Sequence, residues 1–277
     1  MDTGRYDGFE IDIDTARRAS RALLDENARV TMNLFELILE NPKSRAWSDQ
    51  AQFLICQTNA QTPVWAWLSE TMDSKTATQA AAIIAARIAE NATVHLNVSP
   101  RQGAAVLRNI CKDCGFEPRK IMDMNAYICR KLVLPKNHGF AAQPSETDKA
   151  AVAALLRQLV EDGEGQTISP EAADAFAAAA VGSNQLSLWQ DNGVCAMAML
   201  AHCTATTARI NTVVTDRARR GCGYAGMLTA HICAELLAKG VVPMLYADAA
   251  NPSSNRAYRK IGFEKVGEVT EYTFVQA

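Results

Sequence analysis

The chain has 277 residues, with 28 lysines and arginines against 30 aspartates and glutamates, so its formal net charge is -2 and its pI is about 6.1. This balance provides no broad basic field for nucleic acid or an anionic membrane surface, and neither partner is expected. Hydrophobic residues make up 48% of the chain, and the length exceeds what one core usually serves. The composition therefore predicts a soluble enzyme or small-molecule binder with two domains.

The opening residues, MDTGRYDGFEIDID, are polar and acidic and lack the basic and apolar regions of a secretory signal. No apolar run approaches membrane-spanning length, so a cytoplasmic location is expected. The eight cysteines are then expected to be reduced. Cys111 and Cys114 form a C-x-x-C pair without the further ligands of a zinc site, so we expect them one helical turn apart and predict no metal.

The first half alternates helical and strand patterns. In chain order the predicted elements are a helix over residues 14–41, two antiparallel strands over 52–57 and 64–68, a helix over 76–89, the strand TVHLNV, the helix RQGAAVLRNICKDCG and the strand MDMNAYICRKLV. Gly115 is the predicted stop of the last helix, because glycine adopts the left-handed conformation that ends helices.

Residues 134–147 contain two prolines, a glycine and no periodicity, which is typical of a linker. We therefore predict an N-terminal domain over residues 1–136 and a C-terminal domain over residues 143–277.

The second half repeats this order of elements. It has a helix opened by a capping box at Ser145 and Asp148, a helix opened by Ser169-Pro170, a hairpin around Asp191-Asn192-Gly193, the strand ARINTVVT, the loop RRGCGYAG with its helix, the strand VPMLYAD, the helix SSNRAYRKIG and the strand VGEVTEYTFV. The order indicates an α+β fold in tandem, with a mixed, mostly antiparallel sheet flanked by helices. No glycine lies between Gly8 and Gly103, so the first half lacks a comparable glycine loop.

The loop RRGCGYAG admits two interpretations. Gly221, Gly223 and Gly226 fit the G-x-G-x-x-G dinucleotide pattern, and Asp248 ends the next strand at the expected distance. Against this, only two strands follow the loop, too few for a doubly wound sheet, and short turns make the preceding strands antiparallel. Successive N–H groups at a helix N-terminus bind phosphate in either case.

With the arginine included, the loop resembles that of the GCN5-related N-acetyltransferases (GNAT), whose pattern R/Q-x-x-G-x-G/A is matched by RGCGYA over residues 220–225. Asn251-Pro252-Ser253-Ser254-Asn255, Tyr258 and Gly262-Phe263 resemble the segment that follows the fifth strand of these enzymes. The resemblance covers residues 145–277 and is greatest to bacterial two-domain members with a degenerate N-terminal copy. It implies the GNAT fold, an α/β sandwich.

The resemblance also implies an acetyl-CoA site, made of Val213, Val214, Thr215, Arg219, Arg220, Gly221, Cys222, Gly223, Tyr224, Ala225, Asn251, Ser254 and Asn255. The strand residues would contact pantetheine and thioester through main-chain groups, and the loop N–H groups would hold the pyrophosphate beside Arg220. Arg217 and Arg219 either reach the outer phosphates or lie in a solvated loop, and Asn251 and Asn255 either contact pantetheine or cap the helix.

Tyr258 lies where the family places the acid that protonates the departing thiolate. The general base stays open among Asp248, His202 and Glu271. The sequence thus predicts an N-acetyltransferase that moves acetyl from acetyl-CoA to an amine, and the alternative is an acyl-CoA sensor or scaffold without turnover. A dinucleotide oxidoreductase is the third interpretation.

Overall fold

The computed structural model describes residues 7–136, 138–164 and 167–277. Residues 1–6 of the predicted N-terminal domain and Asn137 of the predicted linker lie outside these ranges. The chain divides into two compact units. The first unit holds the described residues up to Tyr127 with Ala247–Ala250 and Lys265–Ala277, and the second holds Ile128–Tyr246 with Asn251–Glu264.

Helices and strands alternate along the described chain. The α-helices are α1 (Ile13–Leu23), α2 (Glu26–Thr31), α3 (Leu34–Glu40), α4 (Ser74–Glu90), α5 (Pro100–Cys114), α6 (Lys149–Glu164), α7 (Pro170–Val181), α8 (Tyr224–Ala238) and α9 (Pro252–Lys260). The strands are β1 (Glu10–Ile11), β2 (Arg45–Ser48), β3 (Phe53–Gln57), β4 (Val64–Leu68), β5 (Leu96–Val98), β6 (Phe116–Ile128), β7 (Phe140–Ala142), β8 (Leu186–Gln190), β9 (Val194–Cys203), β10 (Thr207–Thr215), β11 (Val242–Asp248) and β12 (Glu264–Gln276).

The single helix predicted over residues 14–41 is wrong, because this segment forms α1, α2 and α3. Leu24 leaves α1 in an extended conformation, and the carboxylate of Asp25 accepts a hydrogen bond from the Ala28 N–H at 2.7 Å. Such an N-cap begins a new helix and breaks the one before it, although the apolar spacing continues through the break. Strand β2, which follows α3, was not predicted from the sequence.

The sheet of the first unit has the order β1-β2-β3-β4-β5-β12-β6. Strands β3 and β4 are antiparallel, as predicted, whereas β4 and β5 are parallel. The last strand of the chain, β12, pairs antiparallel with β5, with Thr270 opposite Val98. Trp47, Phe53 and Phe274 belong to the buried core of this sheet and of α4 and α5. The end of the chain is therefore part of the first unit, beside strands from the N-terminal half.

The sheet of the second unit has the order β11-β10-β9-β8-β7. Strands β8 and β9 form the predicted hairpin, and β10 pairs antiparallel with β9 and parallel with β11. Helices α6 and α7 share one buried core with Leu188, Met197 and Val214, and α8 packs against the same three strands. The predicted α+β fold, a mixed and mostly antiparallel sheet flanked by helices, is thus confirmed.

Several predicted boundaries are confirmed by backbone geometry. Gly115 ends α5 with φ of 69°, and Cys111 and Cys114 both lie on that helix. The capping box of Ser145 and Asp148 is formed. The predicted linker, however, contains β7, which pairs with β8 and places Ala141 opposite Trp189. The boundary between residues 136 and 143 stays a prediction.

Replacing Gly262 by alanine is expected to destabilise the second unit. Gly262 has φ of 101°, and an added Cβ would lie 2.0 Å from the Lys131 carbonyl oxygen. The left-handed conformation and the collision together are expected to cost more than about 2 kcal/mol, or about 5 °C in Tm. Thermal unfolding followed by circular dichroism measures this. Gly163→Ala in α6, where an added Cβ meets nothing within 4 Å, is the control, and equal melting of both variants would contradict the account.

Candidate functional site

Strand β10 carries a bulge in its second half. Asn211 pairs with Met199 and Val214 with Met197, so Thr212 and Val213 together face the single residue between those partners. Thr212 has φ of 52°, which a β-branched residue adopts only under strain. Bulges of this kind re-aim a strand and are common beside functional sites. The sequence TVVT gave no indication of it, since threonine is disfavoured at positive φ.

The ladder between β10 and β11 ends in the first third of β10. The two parallel strands pair from Thr207–Val242 to Arg209–Met244, whereas β10 continues to Thr215 and stays paired with β9 on its other edge. In the described second unit, the later main-chain groups of β10 therefore have no ladder partner on the β11 side. The side chain of Val214 is buried in the core, so Val214 can meet a ligand only through its main chain.

The loop before α8 exposes a row of backbone N–H groups. Gly221 and Gly223 both have φ of 84°, and an added Cβ at either position would meet nothing within 4 Å. Gly223 is the N-cap of α8 and supplies no side-chain cap. Within the described chain, the N–H groups of residues 220–226 donate to no protein acceptor, and the first internal bond of the helix runs from Met227 to Gly223 at 3.0 Å. These donors lie at the positive end of a helix dipole.

The loop arginines divide into two groups by their partners. Arg217 and Arg220 both donate to the carboxylate of Asp162 on α6, the former at 2.6 Å. The guanidinium of Arg217, and then that of Arg220, hold the pKa of Asp162 below its usual value. Arg219 instead donates to the carbonyls of Asp191 and Asn192, the latter at 2.9 Å. Arg219 therefore ties the loop to the β8–β9 turn, and Arg220 remains at the loop surface.

Tyr224, the first residue of α8, also contacts the β8–β9 turn. Its hydroxyl donates to Asp191 Oδ2 at 2.7 Å, and its ring lies 5.0 Å from that of His138. The carboxylate partner raises the pKa of Tyr224 to about 12, so its hydroxyl stays a donor. Two loop side chains, Arg219 and Tyr224, thus tie the loop to the β8–β9 turn.

The start of α9 is held by its own polar residues. Asn251 is the N-cap, and its side chain accepts from the Ser254 N–H at 3.1 Å. Asn255 is 2% exposed and donates from Nδ2 to the Asn251 carbonyl at 2.7 Å. Of the two alternatives for these asparagines, capping of α9 is therefore formed in the structure. The role predicted for Asn251, Ser254 and Asn255 in ligand binding stays a prediction.

Tyr258 lies one turn further along α9. It is 8% exposed, and its ring packs edge-on against Phe263 with centroids 5.8 Å apart. Burial raises the pKa of Tyr258 to about 12. Because α9 packs against α8, this buried phenol lies on the helix next to the one that the glycine loop opens. Because its pKa is raised to about 12, the phenol of Tyr258 stays protonated near neutral pH.

The three candidates for a general base have different surroundings. His202 on β9 is 6% exposed, and its Nε2 is buried without a hydrogen bond. Asp248 accepts from the Ala250 N–H at 2.8 Å, and Glu271 contacts His95 Nδ1 at 2.7 Å. Asp248 and Glu271 both belong to the first unit, so His202 is the one candidate of the three in the second.

Within residues 7–136, 138–164 and 167–277, no three His, Cys, Asp or Glu side chains are grouped in a way that could hold a metal ion. In the same part of the chain, no helix has both the length and the apolar character needed to cross a membrane.

Residues 193–275, which run from the β8–β9 turn to β12, match the family described as FR47-like protein. No curated protein matches the sequence. The matched part contains β10, the glycine loop and Tyr258, so the match coincides with the features described above.

Several solved structures with a similar fold are described as acetyltransferases. A GNAT-family acetyltransferase from Colwellia psychrerythraea has 10% identity and a TM-score of 0.58, with 94% of each chain covered. A GCN5-related N-acetyltransferase from Kribbella flavida has 15% identity and a TM-score of 0.55, covering 93% of this chain and 94% of its own. One from Sphaerobacter thermophilus has 15% identity and a TM-score of 0.56, covering 83% and 76%. At such identities these structures show the fold.

The chain thus has an α+β fold with a mixed sheet and a glycine loop that opens a helix, and it shares this fold with solved GCN5-related N-acetyltransferase structures. The FR47-like match covers residues 193–275, in the C-terminal part of this fold.

Proposed function

We propose that this chain is an acyl-CoA-dependent N-acyltransferase that transfers acetyl from acetyl-CoA directly to a primary amine. The observation that carries the proposal is the loop over residues 220–226, whose backbone N–H groups lack protein acceptors and lie beside the unpaired half of β10. A pyrophosphate fits the first feature and an extended pantetheine arm fits the second.

The loop suits a diphosphate because its donors are numerous and already oriented. Gly221, Cys222, Gly223, Tyr224 and Ala225 present their N–H groups at the N-terminus of α8, where the helix dipole favours negative charge. Each charge-assisted hydrogen bond is worth about 1.5 to 3 kcal/mol, so a few of them support micromolar binding after the costs of association. Arg220 adds a cation, while Arg219 contributes by holding the loop against the β8–β9 turn.

The pantetheine arm is proposed to lie along β10, in the gap that opens where the β11 ladder ends. There the arm would take the place of the missing strand and contact the main-chain groups of Val213, Val214 and Thr215. Asn251, Ser254 and Asn255 begin the helix that carries Tyr258, and their mutual bonds fix its direction. In this arrangement β10 orients the acyl group and α9 brings a proton donor to it.

Tyr258 supplies the proton that the reaction needs at its end. The acceptor nitrogen bonds to the acyl carbon as the carbon–sulfur bond breaks, and the departing sulfur takes the phenolic proton. The proton lost by the amine returns to the phenolate directly or through water. A thiol titrates near 8.5, so a phenol with a pKa of about 12 is a weak acid that acts chiefly by its hydrogen bond to the sulfur.

Acetyl-CoA is expected to raise the melting temperature of the protein, and NAD is not. At 100 times its dissociation constant, a ligand adds about 2.7 kcal/mol to the stability, which corresponds to several degrees in Tm. Dye-based thermal unfolding with each compound measures this. Stabilisation by NAD alone would overturn the proposal in favour of the dinucleotide interpretation.

Free-thiol release separates an enzyme from a sensor. If acetyl-CoA stabilises the protein, its incubation with a panel of primary amines is expected to release CoA thiol, detected with a disulfide chromophore. Binding without release for any amine would support the sensor or scaffold.

A further inference from the structure

Arg209 is a mostly buried cation without a partner. Its Nε is buried and has no hydrogen bond, and within the described chain the guanidinium forms no ion pair. Among the residues that the structure describes, its two terminal nitrogens also have no hydrogen-bond partner, and the residue is partly buried. A buried guanidinium is costly unless an anion compensates it. Burial indeed lowers the pKa of Arg209, while Tyr246 acts in the opposite direction.

A second unpaired polar atom lies opposite Arg209. His202 is its register partner on β9, so the two side chains share one face of the sheet, and the Nε2 of His202 is buried without a hydrogen bond. On β11, Met244 is the register partner of Arg209, and Tyr246 lies two residues further on the same face. The charged or titratable neighbours that act on Arg209 include no carboxylate.

The position of Arg209 relates it to the proposed acyl site. Arg209 is the last residue of β10 that pairs with β11, and the unpaired main chain begins directly after it. Asn211, on the same face as Arg209 by strand alternation, pairs with Met199, which packs on the core of α6 and α7. Arg209 and Val213 are four residues apart on β10, and the bulge at Thr212 and Val213 begins two residues after Arg209's neighbour Ile210.

We propose that Arg209, with His202, binds an anionic group of the amine acceptor. This inference rests on the proposed N-acyltransferase function and adds the class of acceptor: an amine that also bears a carboxylate or phosphate. The planar guanidinium donates two parallel hydrogen bonds to such a group, and His202 Nε2 donates a third when it carries the proton. The anion would satisfy both unpaired donors at once and direct the amine along β10 toward Val213.

The test compares amines in which a carboxylate is replaced by an uncharged amide, with kcat/KM expressed per neutral amine because the replacement also lowers the pKa of the amine. The pairs are glycine with glycinamide, 4-aminobutyrate with 4-aminobutanamide, and 6-aminohexanoate with 6-aminohexanamide, since the span from anion to amine is set by the acceptor. Free-thiol release at saturating acetyl-CoA gives kcat/KM, and thermal unfolding gives binding of each compound. We expect at least one carboxylate to exceed its amide by about 10- to 100-fold in kcat/KM.

Arg209→Gln is expected to remove this preference by lowering kcat/KM for the carboxylate, chiefly through KM, with little effect on the amide. Arg157→Gln, which removes the same charge from an exposed position on α6, is the matched control and should leave the preference intact. Arg209→Lys keeps the charge without the planar guanidinium, so its preference for the carboxylate over the amide should lie between those of wild type and Arg209→Gln. It replaces the glutamine variant in the test if that variant does not fold.

Amides used as well as or better than carboxylates would overturn the inference, as would equal losses on both in Arg209→Gln, or carboxylates that neither react nor stabilise the protein. These outcomes are distinct from failure of the proposed function, which shows as no stabilisation by acetyl-CoA. Acetyl-CoA should stabilise wild type and Arg209→Gln alike, because Arg209 is not part of the phosphate loop.

Discussion

Gly223→Ala is expected to weaken acetyl-CoA binding by about 100-fold or more while the protein stays folded. Gly223 adopts φ of 84°, where a Cβ costs about 1 to 2 kcal/mol, and no protein atom lies within 4 Å of the added methyl group. The fold therefore has room for it. Ligand binding is expected to suffer, because relaxing φ at Gly223 would turn the neighbouring N–H donors away from a bound diphosphate. Losing two charge-assisted hydrogen bonds accounts for the size of the effect.

The control for this variant lies at the other end of the same helix. Gly240 follows α8 with φ of 74°, and an added Cβ there also meets nothing within 4 Å. Gly240→Ala carries the same conformational cost, so both variants should lose similar amounts of Tm. Isothermal titration with acetyl-CoA should then show a larger Kd for Gly223→Ala, and an unchanged Kd for Gly240→Ala. Equal affinities in the two variants would remove the loop from the proposed site.

Tyr258→Phe is expected to lower kcat by about 100- to 10,000-fold and to change the Kd of acetyl-CoA by less than about threefold. The substitution keeps the ring that packs on Phe263 and removes the phenolic oxygen that would hold the departing sulfur. The measurement is free-thiol release with an amine that the wild-type protein uses, together with titration of acetyl-CoA. A variant with unchanged kcat would exclude Tyr258 as the acid.

A matched control removes a buried phenol elsewhere. Tyr127 is 1% exposed and belongs to the first unit, so Tyr127→Phe is expected to lower Tm without changing kcat. The pH profile gives a second check. A general acid acts in its protonated form, and burial raises the pKa of Tyr258 to about 12, so its protonated fraction stays near one up to pH 10. A loss of wild-type kcat with a midpoint near 10 would identify an exposed tyrosine or another group instead.

The contacts of the loop side chains explain why the largest effects on acetyl-CoA binding are expected at the glycines. Arg219 and Tyr224 are both bonded to the β8–β9 turn, and Arg217 and Arg220 share Asp162. All four side chains therefore bond to the protein itself and stabilise the position of the loop. Substitution of Arg219 would therefore loosen the loop rather than remove a phosphate contact, whereas substitution of either glycine acts on the N–H groups themselves.

Local chemistry made much of the fold readable from the sequence. Ser145 with Asp148, Ser169-Pro170, Asn192-Gly193 and Gly115 each specify a cap or a turn through the residue's own hydrogen bonds or its tolerance of positive φ. The arginine and glycines of the loop are equally local, because a few consecutive backbone conformations create the N–H donors. The N-cap at Asp25 is also a local signal, but it competes with an apolar spacing that continues past it. The prediction of one helix over residues 14–41 was wrong for this reason.

Pairing between distant segments could not be read in this way. The bulge at Thr212, the end of the ladder at Arg209 and Met244, and the pairing of β12 with β5 depend on which strand lies beside which. Likewise, nothing in the sequence distinguished Arg209, and His202 was a candidate only for a general base. Their burial and their missing partners exist only after the sheet forms, because the free energy of an unpaired donor is set by its surroundings and not by the residue itself.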